Sequence, residues 1–343
     1  MNKKLYLLLF FVAFSAFRVA AQTTLDVNFN GLGFLDNREY KDFVPRSRTY
    51  SGVRTELDLG LNVDSMNHFV VGANAIHEFG AQPYFLTVNP VAYYNFTGKS
   101  WNFFAGAFPR NNTLANYPRA LLNDTMMYYR PNVEGLLAQY HTPHFMEAGW
   151  IDWMSRQTNT QREEFLWGAY GKWIPSLHAP LYLSHYAVLL HDAGAAVLTP
   201  DDHILENGGA QVLLGVDLSR KQHLLDSLTI GAGALLTFDR ERGLDGWQTS
   251  TGFMSDIYAA YGRFSIHNEF YDGQPGKNIT FGDSFYSKKF YDRLDLMWDA
   301  FNAKGLTGKF VLSVHRTPGY TSNQEAFRIT YELGRRKIAT FGN

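Results

Sequence analysis

Residues 50–63 read YSGVRTELDLGLNV, in which Val53, Thr55, Leu57, Leu59, Leu61 and Val63 alternate with Arg54, Glu56, Asp58, Gly60 and Asn62. Successive strand side chains point to opposite faces, so this two-residue period predicts a β-strand with one apolar and one charged face. A soluble sandwich would bury the apolar face in its core. A membrane-spanning sheet would set it against hydrocarbon and turn the charged face toward a polar interior. The rest of the chain decides between them.

The same alternation recurs at 25–29, 69–78, 84–96 and 101–107, and then from 133–140 through 165–173 and 182–190. It continues at 212–218, 228–238, 257–261, 264–266, 294–300, 310–314 and 327–333. That makes about sixteen strands, with bounds of roughly 14–18, matching the even numbers and roughly ten-residue strands of transmembrane barrels. The connections 36–49, 111–131, 191–208 and 271–290 are long and polar, whereas 64–67, 97–100 and 303–305 turn tightly. With one early exception the long ones take the odd places, as expected when short turns close one end of a barrel and longer loops the other.

The first residues bear on the compartment. Lys3 and Lys4 precede an apolar run over 5–17, and Val19, Ala20 and Ala21 supply small residues before Gln22. This predicts an export signal over 1–21 and one barrel domain over 22–343. The apolar run is short of the roughly 20 residues that span a bilayer as a helix. A mature chain crossing a membrane must therefore do so as a closed sheet, because lipid cannot satisfy open backbone groups.

A net charge of −1 provides no basic footprint for nucleic acid. Aromatic residues reach 16%, which suits strands and membrane interfaces. With no Cys there are no disulfides, cysteine zinc ligands or cysteine nucleophile.

Export signal, alternation and loop parity together resemble the porin-like bacterial outer-membrane β-barrels over about 23–334. The resemblance implies an all-β, antiparallel up-and-down transmembrane barrel in the outer membrane. Its implied partners are outer-membrane lipid, small hydrophilic solutes and the barrel assembly machinery; monomer and trimer stay open. One departure lies at the end of the chain. Such barrels commonly finish on an aromatic residue, but here Arg335, Arg336, Lys337 and 338–343 follow the last alternation, with Phe341 close to the end.

The expected function is passive diffusion of small hydrophilic solutes, sugars among them, without catalysis, cofactor or metal. Arg54, Glu56, Asp58, Asp152, Arg263, Glu269, Arg293, Asp295 and Asp299 are expected on the lumen wall. Arg119, Asp124 and Arg130 are expected on an in-folded 111–131 segment, with Trp150, Tyr128 and Tyr129 as solute-stacking candidates. Opposed acidic and basic groups orient a solute through their field, although cross-strand ion pairs produce the same composition. The alternatives are a barrel-embedded lipid or glycan hydrolase and a non-conducting surface barrel. Ser184, His185, His191 and Asp192 offer hydrolytic residue types, but neighbours on a strand face opposite ways, which separates Ser184 from His185.

Overall fold

Alternation becomes a ring of antiparallel strands: β1 (Thr23–Glu39), β2 (Arg48–Asn62), β3 (Asn67–Glu78), β4 (Thr87–Thr97), β5 (Trp101–Pro109), β6 (Asn132–His141), β7 (Phe145–Ser155) and β8 (Glu163–Trp173). They are followed by β9 (Leu181–Gly194), β10 (Leu205–Asp217), β11 (Ser227–Glu241), β12 (Gln248–Tyr261), β13 (Phe264–Gly273), β14 (Phe290–Ala303), β15 (Leu306–Thr317), β16 (Tyr320–Glu332) and β17 (Arg336–Phe341). The computed structural model describes residues 23–41, 45–111, 113–114, 117–197, 202–220 and 224–342. The expected export signal over 1–21 lies outside the described residues.

From β1 to β16 each strand pairs with its sequence neighbours, and β1 closes the ring. One edge of β1 takes β2; along the other, β16 covers Asn30 to Glu39 and β17 covers Thr23 to Val27. β17 is thus the continuation of β16 beyond a break at 333–335, where Gly334 adopts φ +66°. Counted this way the barrel has sixteen staves. The departure seen at the end of the sequence is thereby resolved. The segment after Leu333 resumes the sheet, and Phe341 pairs with Thr23.

The decisive strand faces as its pattern predicts. Leu57 and Leu59 are exposed on the outer surface, whereas Glu56 and Asp58 are buried inside. The exposed outer row continues through Val71, Trp167, Leu214, Phe253 and Ile266. An apolar belt of this extent is incompatible with water and fits hydrocarbon. Leu57 lies midway along β2, so Leu57→Arg is expected to lower unfolding free energy by about 2–4 kcal/mol. Denaturant titration of the refolded protein in lipid vesicles measures the loss.

Several strands run further than their apolar alternation. β1 reaches Glu39 and β2 begins at Arg48, so much of the loop expected over 36–49 is sheet. Both faces are polar there: Asn37 donates to Glu325 at 3.1 Å, and Arg38 pairs with Asp36 at 2.8 Å. The ladder rises past the apolar belt, where no outer hydrophobe is needed. At this end lie the described residues of 40–47, 110–131, 195–204, 242–247 and 274–289, here called the loop end; the tight end holds 63–66, 98–100, 262–263 and 304–305.

Candidate functional site

Two loop-end segments fold back into the barrel. In the first, Pro118 starts a turn whose carbonyl accepts from the Leu121 and Leu122 amides at 2.9 and 3.0 Å. The Asn123 side chain then accepts from the Thr125 amide at 2.9 Å, turning the chain into a short helix, α1 (Thr125–Tyr129). In the second, a 3₁₀ turn (Ser284–Ser287) is capped by Asp283. Leu121, Leu122, Met126, Phe285 and Tyr286 are buried together against Val188, Leu213 and Leu235 of the wall. Each such side chain contributes about 2 kcal/mol on leaving water. The segments meet where the Asn123 amide bonds to Phe281 O and the Asp283 amide to Arg119 O at 2.8 Å. A Cβ at Gly282 would lie 2.2 Å from Ala120 O, so only glycine permits this approach.

Together they make a plug from wall to wall. Tyr128 OH donates to Asp36 of β1 at 3.3 Å, Arg54 of β2 donates to Met127 O, and Tyr129 OH bonds Glu78 of β3. Arg130 donates to Met154 O of β7 at 3.1 Å, and Asn207 of β10 donates to Asn278 O at 2.9 Å. Arg119 reaches Glu269 of β13 and Asp295 of β14, the latter at 2.9 Å, while Arg328 of β16 donates to Tyr128 OH at 3.1 Å.

Among the expected lumen residues, Arg119, Asp124, Glu269, Arg293 and Asp295 come together in this network. Arg293 pairs with Asp295 at 2.8 Å, and Asp124 lies 3.6–3.7 Å from Arg119, Arg293 and Arg328. Arg54, Glu56 and Asp58 line the wall on the tight-end side of α1, where Asn30 and Asn28 donate to the two carboxylates at 3.1 Å. Asp152 pairs with Arg110 at the plug's root. Arg263 and Asp299 lie apart at the tight end, bonded to Ala300 O and Lys309 respectively.

The stacking candidates need correction. Trp150 lies flat over Gly168 and is only 4% exposed, while Tyr128 is fully buried and stacked on Phe34 at 4.4 Å. Neither offers a ring face to a solute. The Tyr129 hydroxyl is engaged by Glu78.

Burial alone would raise the Asp124 carboxyl. The Arg119, Arg328 and Arg293 guanidiniums outweigh it and hold the group well below its ordinary 3.8. A carboxylate depressed in the folded state contributes stability that is complete above its unfolded value and lost as pH falls toward its folded one. Wild-type protein in detergent should therefore lose melting temperature below about pH 4. Asp124→Asn should be weaker by about 3 kcal/mol at neutral pH, with a flatter acid limb. Thermal denaturation across pH reads both effects.

Asp256, His267 and Glu269 bring ligand atoms within 4.8 Å of one another on the inner wall. His267 Nε2 faces Asp256 at 2.8 Å, and Arg119 Nη1 lies 3.3 Å from His267 Nδ1 while also bonding Glu269. Arg119 thus supplies the positive charge that this cluster would otherwise seek from a cation.

A different arrangement lies on the outer face at the loop end. The register aligns Trp153 with Phe165, Phe165 with His191, His191 with Glu206, and Glu206 with Arg240. All five share the outward phase of exposed Leu183, Val212 and Leu236. His191 Nδ1 lies 3.6 Å from Glu206 Oε1, Arg240 Nε donates to Glu206 Oε2 at 2.7 Å, and Arg242 pairs with the same carboxylate. Aromatic rings flank the group: Trp153 packs on Phe165 at 5.0 Å, and the Arg240 guanidinium lies 4.2 Å over Trp247. Imidazole, oriented carboxylate and guanidinium groups thus meet beside an apolar belt, the residue types that ester hydrolysis uses.

Two further imidazole–carboxylate pairs occur among the described residues. His267–Asp256 lies inside beneath Arg119, and His185–Glu147 sits on the outer face toward the tight end at 2.9 Å. His191 was visible in the sequence as a hydrolytic residue type, but Glu206, Arg240 and Arg242 were not. The first lay in an apparent loop over 191–208, where Asn207 and two glycines interrupt the apolar pattern.

Solved structures with this architecture include the loop L8 deletion mutant of OmpT from Vibrio cholerae, 10% identical, covering 90% of this chain and 99% of that chain with a TM-score of 0.57. An anion-selective porin from Comamonas acidovorans is 11% identical over 90% and 99%, with a TM-score of 0.56. OpdK from Pseudomonas aeruginosa is 10% identical over 90% and 98%, with a TM-score of 0.54. Identities this low establish the shared fold alone. No curated protein matches the chain. A family model described as lipid A 3'-O-deacylase-type does match, over residues 17–336. A deacylase is an enzyme, so the expectation of a barrel without catalytic activity is overturned. Matched over nearly its whole length, the chain belongs to the lipid A 3'-O-deacylase-type family.

Proposed function

We propose that the protein is an outer-membrane hydrolase that removes ester-linked acyl chains from a lipid A-class glycolipid, working on the lipid-facing wall at the loop end. The observation that carries this reading is the in-register row His191–Glu206–Arg240 on the outer face of a chain in a deacylase-type family. A substrate held in the bilayer keeps its acyl chains on the apolar belt and brings its ester bonds to the level of the row. The plug supports the same reading, since it fills the interior with buried side chains where a diffusion channel would hold water.

In this scheme the Glu206 carboxylate, 3.6 Å from His191 Nδ1, favours positive charge on the imidazole, and Nε2 accepts a proton from water as its oxygen attacks the ester carbonyl carbon. Arg242, 46% exposed at its side chain, retains N–H groups for the oxyanion that forms. Collapse breaks the carbon–oxygen bond to the sugar, and the His191 proton passes to the departing alkoxide. The products are a fatty acid and a free sugar hydroxyl. Mass spectrometry of purified protein with lipid A in mixed micelles tests the reading: a time-dependent loss of one acyl chain is expected, and unchanged lipid would refute it.

A further inference from the structure

A cavity of about 330 Å³ opens at the loop end between the tops of β11 and β12 and the second plug segment. It lies at the small end of the range for small-molecule sites. Its lining includes Thr237, Asp239, Gln248, Thr249, Ser250 and Lys277. Asp239 and Lys277 pair at 2.8 Å, and Asn207 donates to the other Asp239 oxygen at 3.1 Å while also holding Asn278 O and the Thr280 amide. The cavity is therefore tied to the plug rather than to a free loop. Ser250 donates to Pro275 O at 3.2 Å, and the Thr237 hydroxyl, opposite Ser250 in the register, has no side-chain partner among the described residues.

This lining mixes donors and acceptors over a short distance and holds one fixed carboxylate beside one ammonium. Sugar hydroxyls, each able to donate and accept, match that pattern; an acyl chain does not. The position is equally informative. Along β11, Thr237 and Asp239 face the cavity, while Phe238 and Arg240 between and beyond them face outward onto Trp247. The cavity and the His191 row thus lie on opposite sides of the same stretch of wall, separated by the rim 242–247.

We infer that this cavity binds a sugar ring of the glycolipid headgroup, so that the substrate straddles the rim with its saccharide inside and its acyl ester on the outer face. The inference rests on the deacylase reading for its choice of ligand, but saccharide binding is measurable without turnover. The full chain in detergent is titrated calorimetrically with N,N′-diacetylchitobiose. Saturable binding is expected, weakened at least tenfold in both Asp239→Asn and Thr237→Val, and competed by glycolipid micelles. Melting temperatures confirm that the variants are folded, and Thr237→Val, which leaves the ion pair intact, guards against a collapse of Asp239→Asn.

Absence of saturable binding, or binding unchanged by both substitutions, overturns the site. Binding that glycolipid does not compete overturns the headgroup assignment. If the wild type binds the disaccharide with competition but releases no fatty acid, the hydrolase reading fails and the saccharide site stands. If it hydrolyses lipid and both variants keep wild-type KM, the hydrolase stands and the site fails.

Discussion

His191→Ala is expected to lower fatty-acid release from lipid A micelles by about 10²–10⁴-fold, the share that a positioned general base contributes. The loss should fall on kcat, because the imidazole acts on the attacking water and contributes little to holding the lipid. Glu206→Gln should also be slow, since it removes the carboxylate charge beside Nδ1 and leaves Arg240 and Arg242 without their shared counter-charge. His185→Ala is the control. It alters an imidazole–carboxylate pair on the same outer surface but toward the tight end, so release should stay at the wild-type rate. Slow hydrolysis in His185→Ala together with normal hydrolysis in His191→Ala would move the chemistry to the other rim of the barrel.

Removing residues 117–127 should raise single-channel conductance in planar bilayers by on the order of tenfold, because sixteen-stranded barrels without a plug enclose an aqueous channel. The segment carries Leu121, Leu122 and Met126 into the interior core and Arg119 onto Glu269 and Asp295. Its loss leaves those carboxylates facing water, and the shortened chain should favour cations. The intact protein should conduct poorly, since the plug bonds to β1, β2, β3, β7, β10, β13, β14 and β16. A wild-type protein that conducts as freely as the deletion variant would show that the plug leaves the lumen in solution. The outer row is independent of this step, so the deletion separates conduction from lipid hydrolysis.

The parts legible in the sequence and the parts that were not differ in a physical way. Leu57, Leu59, Glu56 and Asp58 could be assigned to their faces without coordinates, because a two-residue period is a local property and burial follows from each side chain's own polarity. The same period located all sixteen staves. It lost their upper ends, as at Asp36 to Glu39 and Leu205 to Gly209, where the wall clears the apolar belt or packs on the plug and the outward face no longer has to be hydrophobic.

The first plug segment was expected as an in-folded 111–131 constriction, but the second, 274–289, and the filling of the interior were not. Whether Leu121, Leu122 and Tyr128 enter the barrel depends on cavities opened by distant residues such as Gly209, where a Cβ would come within 3.0 Å of Leu121. The candidate site was less visible still. His191, Glu206 and Arg240 sit on three strands, and only the hydrogen-bond register of β9, β10 and β11 brings them level.

From the sequence alone came the barrel, its apolar exterior and the inward side of Glu56 and Asp58, since these follow from backbone geometry and transfer energies that act residue by residue. Tertiary structure alone decided that the interior is filled rather than open, and that His191 has Glu206 and two arginines as neighbours. Both are outcomes of long-range register and packing, which couple residues far apart in the chain and leave no periodic trace in it.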